Sequence, residues 1–177
     1  RLNIACGHGG APSDFEMYGL ESSEMQNMSE ESMRIILEMW EKDPPYKIAG
    51  PYWTVELKSS DSDIGYGRIQ KPLQNPYPPI SVPITGYNSN SARIAAKFGF
   101  SPFSHSITSL PVLKDNWETY SKSRNLLDLK ADRSDWKLAR TIFIADSDEE
   151  AKRKAKQNSI SKAYKYLASA IKKGPGL

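Results

Sequence analysis

Gly7-His8-Gly9-Gly10, followed by Ala11-Pro12 and Ser13-Asp14, is the grouping in this 177-residue chain best suited to chemistry. Three glycines in four positions let the backbone turn sharply and pass close to a ligand. The run Leu2, Ile4, Ala5, Cys6 before them is too short for a helix and reads as a buried strand. A strand running into a glycine-rich loop can present backbone N–H groups to an anion. The alternative is a plain turn. The loop lacks the Lys-Ser/Thr of a P-loop and the full spacing of a dinucleotide fingerprint. Three other clusters offer small or polar side chains: Gly86 to Ser91, Ser104-His105 and Asp146-Ser147. Two histidines and one cysteine, scattered, have no metal-ligand spacing, so no metal is expected.

The elements that must position these clusters alternate along the chain. A helical stripe of Met28, Ile35, Ile36, Met39 and Trp40 predicts a helix from about Met25 to Lys42, capped by Ser22 or Ser23 and ended by Asp43-Pro44-Pro45. Tyr46 to Ile48 and Tyr52 to Leu57 around Ala49-Gly50-Pro51 predict a β-hairpin, an aromatic cover for something. Lys58 to Pro79 is a long Ser-, Asp-, Gly- and Pro-rich stretch, either a functional lid or a surface loop. Then come a strand over Ile80 to Thr85, a polar turn, a helix through Arg93 to Phe98 and a short strand over Ser101 to Ser106. A helix over Leu113 to Leu127 follows, with Leu113, Trp117, Tyr120 and Leu127 on one side. Leu138 to Ala145 reads as the clearest strand. Asp146 to Glu150 opens a last helix with acidic residues where the dipole favours them, and Ile160, Ala163, Tyr164, Leu167 and Ile171 form its apolar face. Gly174-Pro175-Gly176 ends it. This order predicts an α/β fold with parallel strands and covering helices, in which ligands sit beyond the carboxyl ends of the strands. All four clusters fall there.

Composition narrows the function classes. A charged fraction of 25% with 38% hydrophobic residues fits a globular protein rather than a disordered chain. A net charge of +3 is too small to argue for nucleic acid or a membrane surface. The lysines of the last helix lack interleaved aromatics and read as a solvated face. No apolar run approaches the ~20 residues of a membrane span, and no signal-peptide pattern is present. A single cysteine fits a reducing compartment, so the expected location is the cytoplasm.

Several segments in order carry a resemblance: IACGHGGAPSDFEMYG, EESMRIILEMWEKDPPYKIAGPYW, KPLQNPYPPISVPI, NSNSARIAAKFGFSPFS and ARTIFIADSDEEA. Together they span nearly the whole chain, which resembles the luciferase-like flavin monooxygenases, the limonene- and alkane-monooxygenase-type branch above all. The resemblance implies a TIM-type (β/α)8 barrel, a fold of about 250 residues. The chain supplies units like the fourth to seventh, with an inserted β-hairpin and loop. Residues 1–177 are therefore expected to be one partial barrel domain, without the first three strands and the eighth. The expectation is a fragment, a chain recorded with a gap, or a half barrel completed by another chain.

The resemblance further implies reduced FMN, supplied by a flavin reductase, and O₂ used to oxygenate a small apolar substrate. Carried over by position, Gly7, His8 and Gly9 fall on the strand end near the flavin. His8 stands where luciferases place an arginine near the phosphate, and Gly7 where one carries a cysteine. Cys6 is one place earlier, on the other side of the strand, and reads as packing. Asn88 and Ser91 fall on phosphate-holding hydroxyl positions, with the backbone N–H groups of Tyr87 and Asn88 beside them. His105, on a strand end, is a substrate-contact candidate; the alternative is a structural histidine. Arginines common in the family are replaced by Gln26 and Met28. The catalytic histidine belongs to the absent first part, so the catalytic residues are unknown. Two further readings stay open: a non-catalytic flavin-binding or partner subunit, homo- or hetero-oligomeric, and a deazaflavin (F420)-dependent oxidoreductase.

Overall fold

A computed structural model describes residues 1–157 and 159–173. Four short strands form one parallel sheet in the order β1 (Ile4–Ala5), β4 (Ile80–Pro83), β5 (Ser101–Ser104), β6 (Lys137–Leu138). Between β1 and β4 lie α1 (Pro12–Met17), α2 (Met25–Glu41) and the antiparallel hairpin β2 (Tyr46–Ala49) and β3 (Thr54–Leu57). Helix α3 (Asn90–Phe98) joins β4 to β5, and α4 (Leu110–Asn125) joins β5 to β6. Helices α5 (Asp148–Gln157) and α6 (Ser159–Lys173) follow. Sequential parallel strands with intervening helices are the expected α/β architecture.

The core lies on one face of this sheet. Side chains alternate along a strand. Ile80, Val82 and Ile84 pack with Ala92, Ala95 and Ala96 of α3, with Phe100 and with Tyr120 of α4. Three alanines on one stripe of α3 let that helix approach the sheet and α4 closely. Gly99 ends α3 in the left-handed conformation (φ 71°), so the chain turns directly into Phe100 and β5. The opposite face carries Ser81, Ser101, Phe103 and Lys137, as the strand register requires.

Several local expectations are corrected. Residues 12–17, after the glycine loop, form the additional helix α1, because Pro12 occupies the first helical turn with its φ preset and Asp14 follows there. Neither Ser22 nor Ser23 caps α2; Glu24 precedes it in helical conformation with no side-chain cap. Pairing at β6 covers only Lys137–Leu138, plus one bond from Ala139 N–H to the Ser104 carbonyl (2.9 Å). The apolar run beyond is not a strand, and Ile142 and Ile144 are exposed. Leu127 lies past the end of α4 and is exposed. The last helix is two helices. Ala163 and Leu167 are exposed on α6, whereas Tyr164 is half-buried. The Gly174-Pro175-Gly176 stop lies outside the described residues.

The hairpin is tied to α2 by a buried carboxylate. Glu31 accepts from the backbone N–H groups of Tyr52 (3.2 Å) and Trp53 (3.0 Å) in the hairpin turn. A Cβ at Gly50 would land on that carboxylate, so only glycine fits. Tyr52 Oη also donates to Glu24, which raises the Tyr52 phenol above its usual range. The long loop is anchored at its far end: Lys71 Nζ donates to the Met39 carbonyl (3.1 Å), and the Gln74 amide brackets the Leu2 backbone (2.6 and 3.1 Å). Leu2 and Gln74 both precede parallel strands. That end of the loop therefore lies at the amino ends of β1 and β4, away from the clusters it was a candidate to cover.

β6 is held by aromatic packing. Trp117 of α4 and Trp136 stack at 5.6 Å, and the Arg133 guanidinium sits 4.5 Å from the Trp117 ring centroid. The Trp136 indole N–H donates to the fully buried Ser104 hydroxyl (3.0 Å).

Candidate functional site

Parallel pairing places the residues after each strand along one rim, in the order His8, Tyr87-Asn88, His105, Arg140. Gly7 closes the first gap: a Cβ there would lie 3.4 Å from Pro83 Cγ, so the ends of β1 and β4 meet almost backbone to side chain. Gly9 has φ +84°, and a Cβ would sit 3.2 Å from the Phe15 ring of α1. The turn thus depends on glycine at this position. His8, half-buried between them, has its Nδ1 buried with no hydrogen-bond partner among the described residues. A buried ring nitrogen without a partner is a vacancy that a ligand acceptor or donor can fill.

The next cluster is already partly committed. Asn88 adopts the left-handed conformation (φ 49°), and its backbone N–H donates to Asp115 Oδ2 of α4 (2.6 Å). Arg93 of α3 donates to the Asn88 carbonyl (2.8 Å) and to its side-chain oxygen. Tyr87 is exposed at 63%. Ser91 is buried in the first turn of α3. The buried Nδ1 of His8, without a partner among the described residues, is the group here that fits a ligand. At Asn88 an anion would have to replace the Asp115 carboxylate.

The remaining candidates divide. His105 is half-buried just past β5, its carbonyl accepting from Thr108 N–H (3.1 Å). Cys6 packs against the core, and burial raises its thiol above the ordinary value, as a packing role requires. Ser147 accepts from Glu150 N–H (3.2 Å) at the start of α5, a capping role. Gln26 and Met28 both sit in the first turn of α2 and bring no charge to the rim. Among the described residues no group of three or more His, Cys, Asp or Glu could hold a metal ion, and no helix is long and apolar enough to cross a membrane.

Three residues at this rim were not singled out from the sequence. Lys137 reaches across β5 to donate to the Ser81 hydroxyl (2.8 Å) on the face away from the helix-packed core. Period-2 register places it there, but only once β6 begins at Lys137 and not at Leu138. Asp115 is recognisable only from the packing of α4 on α3. Arg140 donates to the carbonyls of Ser106 (3.2 Å) and Thr108 (2.7 Å). Beside it, hydrogen bonds from the Ser106 and Thr141 hydroxyls, with the Arg140 charge, hold the Tyr164 phenol below its usual value.

A parallel α/β sheet with covering helices and polar candidates past the carboxyl ends of its strands is the arrangement shared by barrel and open α/β folds. The profile of the luciferase-like monooxygenases matches residues 1–174, so the chain belongs to that family. It is 32% identical over 155 residues to the 3,6-diketocamphane 1,6-monooxygenase of Pseudomonas putida, covering 84% of this chain and 40% of the relative. The FMN complex of the oxygenating constituent of 3,6-diketocamphane monooxygenase from the CAM plasmid of P. putida, a type II Baeyer-Villiger monooxygenase, superposes with a TM-score of 0.74 at 26% identity. That match covers 95% of this chain and 49% of the other. An F420-dependent secondary alcohol dehydrogenase in complex with an F420-acetone adduct shares the fold at a TM-score of 0.59 and 20% identity, over 79% of this chain and 39% of that one. The chain spans about half the length, or less, of the proteins it matches.

Proposed function

We propose that this chain is the flavin-side part of an FMN-dependent monooxygenase that oxygenates a small apolar organic compound. It would serve as one partial barrel domain. The observation that carries the reading is the buried Nδ1 of His8 between Gly7 and Gly9, without a partner among the described residues, in a chain matched to the family over residues 1–174. FMN, when bound, supplies the oxygen chemistry. His8, the open backbone at Gly9 and the N–H of Tyr87 would hold its phosphate, with Asn88 and Ser91 beside them. Gly7 would let the backbone pass near the ring, and His105 would contact the substrate. A flavin reductase is the partner this chemistry calls for. The catalytic residues are not assigned within the chain.

A second reading is a non-catalytic flavin-binding or partner subunit. Its support is the neutral pair Gln26 and Met28 in the first turn of α2 and the half-length match to relatives. An F420-dependent oxidoreductase has only the shared fold behind it. Titration with FMN, riboflavin and F420, followed by flavin fluorescence and melting temperature, separates these. FMN binding that exceeds riboflavin binding and falls in His8→Ala supports the flavin reading. Oxygen uptake with reduced FMN and an apolar ketone or alkene then distinguishes enzyme from partner subunit. Equal binding of FMN and riboflavin, unaffected by His8→Ala, would contradict the phosphate assignment.

A further inference from the structure

A cavity of ≈ 680 Å³ opens at the far end of the rim, past β5 and β6 and against α5 and α6. It is separate from the glycine loop, since β1 and β6 are opposite edges of the sheet. Its volume lies in the range that holds a single small organic molecule. Phe143, Ala155 and the aliphatic stems of two lysines make most of its wall apolar. Three cations, Arg140, Lys156 and Lys165, reach it, and no carboxylate is among its described lining residues. Among the described residues none of the three forms an ion pair, whereas Lys154 on the same helix as Lys156 pairs with Glu150 (2.6 Å). Arg140 is fixed in place by two backbone carbonyls, so its charge is pre-positioned instead of free to swing into solvent. Hydroxyls of Thr141 and Tyr164, bonded to each other at 2.7 Å, add polar contacts on one wall.

An open, largely apolar pocket lined by unpaired positive charge selects a molecule with an apolar body and one negative end. We propose that this cavity binds a small organic acid, its hydrocarbon part against Phe143 and Ala155 and its carboxylate toward Arg140, Lys156 and Lys165. The proposal stands independently of flavin binding, because it uses none of the residues assigned to the flavin.

The test is calorimetric titration of the full chain with 2-naphthoate and with its neutral isostere 2-naphthamide. Binding of the carboxylate, with the amide weaker by about tenfold or more, is expected. The double variant Lys156→Gln/Lys165→Gln should weaken the carboxylate by roughly tenfold and leave the amide unchanged. Its fold is checked by an unaltered circular dichroism spectrum and melting temperature. Equal affinity for acid and amide, no binding of either, or binding indifferent to the two lysines would overturn the proposal. Displacement of naphthoate by FMN under conditions where riboflavin does not compete would also overturn it, by assigning the cavity to a flavin phosphate.

Discussion

Glu31 shows how much one side chain can organise here. Its carboxylate, 7% exposed, replaces water for two backbone N–H groups of the hairpin turn. In Glu31→Ala those donors lose their partner, at a cost of about 1–3 kcal/mol. Urea unfolding should report that loss, with Glu31→Gln retaining part of the stability; an unchanged midpoint in Glu31→Ala would show that the tie is not stabilising. The opposite case is Cys6. Burial raises its thiol, so the thiolate is scarcer at neutral pH than in an unfolded chain. Alkylation of the native protein at pH 7.5 should be slower than in urea, and equal rates would mean that Cys6 is not shielded. The packing role of Cys6 was legible from strand alternation set against the family position one residue later. Glu31 was not, because a glutamate on a helix pattern reads as solvent-facing until the hairpin folds onto it.

At the scale of elements, the long periodic segments were readable and the short ones were not. α2, the hairpin and β4 lie close to where their apolar spacing and flanking prolines put them. β6 was displaced because Thr141 to Ala145 has more strand propensity than Lys137-Leu138, yet pairing goes to the residues that Trp136 can anchor. Trp136→Phe keeps the ring and removes the bond to Ser104, leaving a buried hydroxyl without that donor. A loss of about 1 kcal/mol is expected. The turn before it has a pH signature. Asp132 accepts from the Ser134 N–H and hydroxyl, both at 2.9 Å, and the backbone bond above all lowers its carboxyl below the ordinary 3.8. The native state therefore binds this proton less tightly than the unfolded chain. The contribution is complete well above that ordinary value and is lost as the pH falls through the lower folded value. The stability difference between wild type and Asp132→Asn should be flat near neutrality and shrink in acid; a difference independent of pH would exclude the ionised form as the cap.

For the whole molecule, surface area is the informative quantity. A compact chain of 19.9 kDa exposes roughly 8,700 Å² by the usual scaling with mass. This chain exposes 12418 Å². The excess is several times the ~800 Å² that each partner buries in a standard interface. Leu2 before β1 and Leu138 on β6, with Ile142 and Ile144, are part of it. Studied by itself, the chain should enhance dye fluorescence through exposed apolar surface and sediment with an average mass that rises with concentration. A strictly monomeric profile without dye binding would contradict this. The parallel sheet and the rim that carries the candidate residues were foreseeable from strand–helix alternation and the family resemblance. The cavity beyond β6 was not, because Arg140, Lys156 and Lys165 are distant in sequence and meet only through tertiary packing.

The stacked Trp117–Trp136 pair has an optical consequence. Two indoles 5.6 Å apart and nearly parallel couple their excited states, and only the seating of β6 against α4 keeps them so. The chain therefore carries its own gauge of that edge. Loss of the exciton band while the far-ultraviolet helix signal persists would record β6 leaving the sheet ahead of the rest, without any label.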